Sequence, residues 1–114
     1  MNQKNNINDI SPIEDACGQI RETYSSENLS IAHVVVTGDA KPHLHRKMEE
    51  VYYVTKGQGQ VVIGDRTLDI REGDTIPIPK NTVHYLRQKE GPLEILAITH
   101  PKFDPSDMMP PQPQ

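Results

Sequence analysis

Short apolar runs, mostly β-branched and broken about every 8–12 residues by turn residues, organise the chain from Gln19 onward. Leu29–Val36 (LSIAHVVV) is the strongest run and Gln19–Ser25 the weakest. Glu50–Thr55 (EVYYVT) and Gln60–Ile63 (QVVI) follow, and Lys56-Gly57-Gln58-Gly59 between them predicts a Gly-bearing hairpin loop. Gly64-Asp65 and Arg71-Glu72-Gly73-Asp74 predict tight turns on either side of a strand over Arg66–Ile70. Asp74–Ile78, Val83–Arg87 and Leu93–Thr99 complete the set, whose spacing predicts an all-β sandwich or barrel.

The two ends read differently. Met1–Asp9 is polar and Asn-rich and reads as disordered, whereas Ser11-Pro12-Ile13-Glu14 is a capping box that predicts a short helix ended by Gly18. Pro105–Gln114 holds four prolines and two glutamines and reads as an extended tail over the surface. The expected division is therefore an arm over 1–18, a barrel over 19–104 and a tail over 105–114.

Composition supports the strands. The aliphatics are 8 Val, 11 Ile and 6 Leu, so 19 of 25 are β-branched, and ten prolines are too many for a helical bundle. The net charge is −4, from 12 basic and 16 acidic residues with no basic block, which excludes a nucleic-acid footprint. No apolar run approaches the roughly 18 residues of a membrane span, and no basic-then-apolar leader opens the chain. Cys17 is the only cysteine, so an intramolecular disulfide is impossible. A soluble, cytoplasmic protein without nucleic-acid or membrane partners is the expectation.

The chemistry concentrates in Pro42-His43-Leu44-His45 and the Glu49-Glu50 that follows. Residues two apart in a strand share a face about 6.5 Å apart. His43 and His45 are thus able to turn both imidazoles on one point, as metal ligands must at about 2.1 Å. Glu50 opens the next strand, where alternation puts it on one face with Tyr52 and Val54; Glu49 would instead share a face with Val51 and Tyr53. Alternation alone leaves both carboxylates open. His84, after Pro79-Lys80-Asn81-Thr82, is the fourth candidate. Three imidazoles and one carboxylate suit a first-row divalent ion, although a lone histidine is more often a satisfied structural or surface group.

These residues resemble the two motifs of the cupin superfamily. The first appears as Gly38, then His43-x-His45, four residues, Glu50, six residues and Gly57. The second appears as Gly73, five residues, Pro79-x-Asn81, two residues, His84, three residues and Gln88. Together they span Leu29 to His100. There are three departures: Gly38 lies one residue too close to His43, Asn81 stands for Gly, and Gln88 stands for Asn. Asn is the non-glycine residue most tolerant of positive φ. The resemblance implies a jelly-roll barrel (a double-stranded β-helix) with His43, His45, Glu50 and His84 as metal ligands, and so favours Glu50 over Glu49. It implies one divalent transition ion: Fe, Mn, Zn, Ni, Co or Cu.

Two classes of function follow. One is a metal-dependent enzyme on a small oxygen-rich substrate, such as a sugar or carboxylate, by isomerase-, lyase- or dioxygenase-type chemistry; Tyr52 would carry the proton. The other is a module that binds or senses a small ligand without turnover. A second polar group beside the ion would mark an enzyme, and an apolar plug a structural ion. Val51, Tyr53 and Val62 alternate out of the proposed pocket and predict a homodimer through that face. His33 and His100 read as core, cap or surface groups, Arg87 as a solvent or interface residue, and Lys41 as a solubility charge. Cys17 falls outside the barrel pattern, and Met108-Met109 carries no expected role.

Overall fold

A computed structural model describes residues 4–15 and 17–111. Seven strands form it: β1 (Ile13–Asp15), β2 (Gly18–Ser25), β3 (Ser30–Val36), β4 (Glu49–Ile63), β5 (Arg66–Arg71), β6 (Thr75–Ile78) and β7 (His84–His100). All pairings are antiparallel, in the order β1-β2-β3-β7-β4-β5, with β6 also on β4. The sheet closes as the expected jelly-roll barrel around Val34, Val36, Val54, Val61, Leu86 and Ile95, each no more than 2% exposed. No helix among the described residues is long and apolar enough to cross a membrane.

The expected hairpin at Lys56–Gly59 is absent. β4 runs through it without turning and pairs with β7 from Glu49↔His100 to Ile63↔His84, so the Val83–Arg87 and Leu93–Thr99 runs also belong to one strand. The glycines make bulges instead. The register against β7 shifts between Val54 and Gly59, and Gly57 has φ +89° with its missing Cβ only 2.2 Å from the Pro92 carbonyl oxygen. A side chain at either glycine would push the two backbones apart. The extra residues also switch parity: Glu50, Tyr52 and Val54 are buried before the bulges, Gly59 and Val61 after them. Both halves of a long, bent strand therefore face the core.

The ends also differ from expectation. The capping box does not nucleate a helix; Ile13–Asp15 pairs with Gly18–Ile20 as an edge strand. One helical turn is costly to nucleate, whereas the strand gains its ladder from a β2 already in place. Within the segment read as disordered, Ile7–Asp9 forms a 3₁₀ turn capped by Asn6, and Asn5 Nδ2 donates to the Thr23 carbonyl at 2.7 Å. Met1–Gln3, part of that reading, lie outside the described residues. So do Gln112–Gln114 of the tail, but the rest of it is not a loose surface strand. Pro105–Asp107 is a 3₁₀ turn with Asp104 as cap, and Met109 exchanges backbone hydrogen bonds with Leu44 at 2.9 and 3.1 Å.

Two of the three motif departures meet. Gln88 Oε1 accepts from the Gly38 N–H at 2.7 Å, while the Gln88 N–H donates to the Gly38 carbonyl at 3.0 Å. The longer amide reaches the loop that is one residue short. Asn81 has the positive φ expected of it, +61°, and its N–H donates to the His45 carbonyl at 2.7 Å.

Candidate metal centre

Backbone pairing assembles the centre. His43 and His84, 41 residues apart, exchange N–H···O bonds of 3.2 and 2.9 Å, which sets their side chains side by side. Alternation returns His45 to the side of His43, while Leu44 between them pairs with Met109. β4 presents Glu50 on its buried face, whereas Glu49 is exposed. One nitrogen from each of His43, His45 and His84 lies within 4.8 Å of the others. Glu50 Oε1 is 3.3 Å from His84 Nε2 and 3.5 Å from His45 Nε2.

Each imidazole is oriented from behind. Nδ1 of His43, His45 and His84 meets the carbonyl oxygens of Lys41, Asp107 and Thr82 at 2.9, 3.0 and 2.9 Å. A carbonyl only accepts, so each Nδ1 carries a proton, and each Nε2 is the nitrogen left to bind an ion when unprotonated. The buried His45 Nε2, His84 Nε2 and Glu50 Oε1 have no hydrogen-bond partner. Three orphaned polar atoms are costly unless something satisfies them together. Imidazole nitrogens and a carboxylate oxygen converging in this way fit a divalent transition ion. Burial lowers the His43 pKa to about 4, so that imidazole is neutral at physiological pH. Burial would raise Glu50, but His45 and His84 outweigh it and hold the carboxyl at about 2. Burial likewise works against a charged His45, yet Glu50 raises its pKa.

A cavity of about 300 Å³ is lined by His43, His45 and Glu50. Tyr52, 1% exposed, lines it on the Glu50 face of β4, and its ring centroid is 6.2 Å from that of His84. Burial, reinforced by Glu50, holds the Tyr52 hydroxyl protonated far above its ordinary range. Cys17, expected to lie outside the barrel, lines the same cavity, and burial pushes its thiol well up. Met108, expected to have no role, lines it as well, together with Phe103 and Pro105.

Asp107 is the residue that sequence reasoning missed most completely. It is 4% exposed, and besides its carbonyl to His45 its carboxylate accepts from the backbone N–H groups of Arg46, Lys47 and Met48 at 2.9–3.2 Å. Burial would raise its pKa, but those three donors outweigh it and lower the pKa. It thus holds the loop that links His45 to Glu50. Asp104-Pro105-Ser106 did carry a readable signal for the turn, an Asx cap followed by Pro, but none for its target.

The other singled-out residues stand apart from the cavity. His33 is buried on the outer sheet face, with Nε2 3.0 Å from Glu94 Oε1 and Nδ1 buried without a partner. His100 and Lys41 are exposed. Arg87 bonds the Tyr85 hydroxyl at 2.8 Å. Tyr53, 40% exposed, lies on the outer face with the half-buried Val51 and Val62.

Known proteins share this architecture. A protein from Planctomyces limnophilus superposes with a TM-score of 0.85 over 96% of each chain, at 22% identity. Streptomyces Pac13, a nucleoside dehydratase solved in variant form with uridine, superposes with a TM-score of 0.81 at 18% identity, over 95% of this chain and 89% of its own. An uncharacterized protein of Methanocaldococcus jannaschii is 31% identical over 87 residues, 74% of this chain and 70% of its own. The family model of the cupin domain matches residues 30–99, the span that carries both motifs and all four candidate ligands, and the chain belongs to the cupin family.

Proposed function

We propose that this chain is a metal-dependent enzyme acting on a small oxygen-bearing substrate by isomerase- or lyase-type proton-transfer chemistry. The observation that carries this reading is a cavity lined by three of the four candidate ligands, His43, His45 and Glu50, with a protonated tyrosine on the same wall. An apolar plug would suit a structural ion; an acid on an open cavity suits turnover. His43, His45, Glu50 and His84 hold the ion. When bound, a divalent transition metal supplies Lewis-acid polarisation of a substrate oxygen. The Lys41, Asp107 and Thr82 carbonyls keep the imidazoles aimed. Tyr52 holds a proton at Oη and gives it to a substrate oxygen as electron density collects there. The apolar walls exclude water from that transfer.

The substrate panel begins with small hydroxyl- and carbonyl-bearing compounds that fit a cavity of about 300 Å³. Elemental analysis of the parent is expected to give about one transition ion per chain, and His84→Ala almost none. Tyr52→Phe is expected to keep the metal and lose turnover. A parent that takes up no metal, or a Tyr52→Phe variant as active as the parent, would overturn the proposal.

A further inference from the structure

The walls of the cavity define which substrates it accepts. On the strands next to Glu50 and Tyr52, Ser30↔Thr99, Ala32↔Ala97 and Val34↔Ile95 are successive cross-strand partners of β3 and β7, and all six line the cavity. The alanines face each other where the next pair inward carries Val and Ile. The hollow exists because both members of one pair are truncated to a methyl group. The two hydroxyls are engaged: Ser30 Oγ lies 2.6 Å from Thr99 Oγ1 and accepts from the Phe103 N–H at 3.0 Å. This wall is therefore apolar in effect, and at about 30 Å³ per water the cavity holds roughly ten non-hydrogen atoms.

The charges point the same way. Among the described residues, no Lys or Arg lines the cavity. Asp15 and Glu22 do, and among the described residues neither is in an ion pair. Burial already raises the Asp15 carboxyl, with Glu50 adding to it, so the surroundings disfavour further negative charge. A phosphate or a second carboxylate carried away from the ion, against the Ala32–Ala97 wall, would lie there without a cation to meet it.

We infer that the substrate has its oxygens at one end, facing the histidines, and an apolar body without an anionic group against the Ala32–Ala97 wall. This rests on the metal-dependent reading above and narrows it, setting aside sugar phosphates and dicarboxylates.

The test uses the zinc-loaded full chain and four hydroxamates that share one chelating head: benzohydroxamate and its 4-nitro (neutral and matched in size to carboxylate), 4-carboxy and 4-phosphono derivatives. Calorimetry should show the first two binding at least tenfold more tightly than the last two. In an Asp15→Asn/Glu22→Gln double variant the gap should shrink several-fold. NMR titration should place the ring beside the Ala32 and Ala97 methyl groups. Equal or tighter binding of the carboxy or phosphono compound by the parent would overturn the inference. Zinc uptake, measured separately by equilibrium dialysis, isolates the underlying reading. If no zinc is taken up, that reading fails, and benzyl alcohol against phenyl phosphate on the metal-free chain tests the wall itself. Phenyl phosphate binding as well as the alcohol would then overturn the inference.

Discussion

Replacing Asp107 by alanine removes one carboxylate from beneath the loop that joins two candidate ligands. Four contacts are lost: Arg46 N to Oδ1 at 2.9 Å, Lys47 N to Oδ1 and Oδ2 at 3.2 and 3.0 Å, and Met48 N to Oδ2 at 3.1 Å. A hydrogen bond to a charged group contributes about 1.5–3 kcal/mol, but the three donors do not fare alike once it is gone. Arg46 and Lys47 are exposed, so water replaces the carboxylate there; Met48 is 1% exposed, and its N–H is left buried and unpaired. The expected loss is about 2–4 kcal/mol, well below the simple sum of three bonds. The loop also sets the spacing of His45 and Glu50, so metal affinity should fall about 10- to 100-fold, as for other groups that orient a ligand. Asp107→Asn separates the two effects. Its amide oxygen is able to serve Arg46 and Lys47, but its NH₂ then faces the Met48 N–H, donor against donor. Urea melts and zinc competition titrations should rank the parent above Asp107→Asn and Asn above Ala on both scales. An alanine variant within about 0.5 kcal/mol of the parent, the range of an ordinary surface change, with unchanged zinc affinity would refute the reasoning.

Gly57→Ala should destabilise by about 2–4 kcal/mol in urea melts, because φ is +89° and the added Cβ would meet the Pro92 carbonyl oxygen at 2.2 Å; a loss below about 0.5 kcal/mol would mean that β4 is able to re-bend there. The outer face with Val51, Tyr53 and Val62 is expected to join two copies of the chain. Light scattering should give twice the monomer mass, and Tyr53→Asp should shift it toward monomer. A parent that is monomeric at millimolar concentration would end that expectation.

The candidate ligands were legible because their signals are local. A strand's period of two puts His43 and His45 together, and the two motifs named Glu50 and His84. The errors arose where one local signal serves two structures. Gly57 and Gly59 carry turn chemistry, but positive φ and a missing Cβ serve a bulge equally, and only the partner strand decides between them. Ser11-Pro12-Ile13-Glu14 is a sound capping box whose helix is too short to compete with the waiting edge of β2. Asp107 had no usable signal, since its carboxylate acts on a loop some 60 residues away.

The departures from the motifs were visible too, but as isolated blemishes, and only the structure shows that two of them compensate. A Gln88→Asn substitution restores the motif residue while shortening the side chain by one methylene. With the Gly38 loop still one residue short, the amide no longer reaches the Gly38 N–H, now bonded at 2.7 Å. The amide Nε2 also donates to the Gly91 carbonyl, so the variant should lose about 1–3 kcal/mol, the net contribution of two such hydrogen bonds, even though it matches the family better. Adding one residue between Gly38 and His43 should recover the Gly38 part of that loss in the Asn variant and cost stability in the Gln parent, a sign reversal that urea melts of the four chains would read directly. Additive effects of the two changes would show that position 88 and the loop vary independently and that their hydrogen bond is incidental.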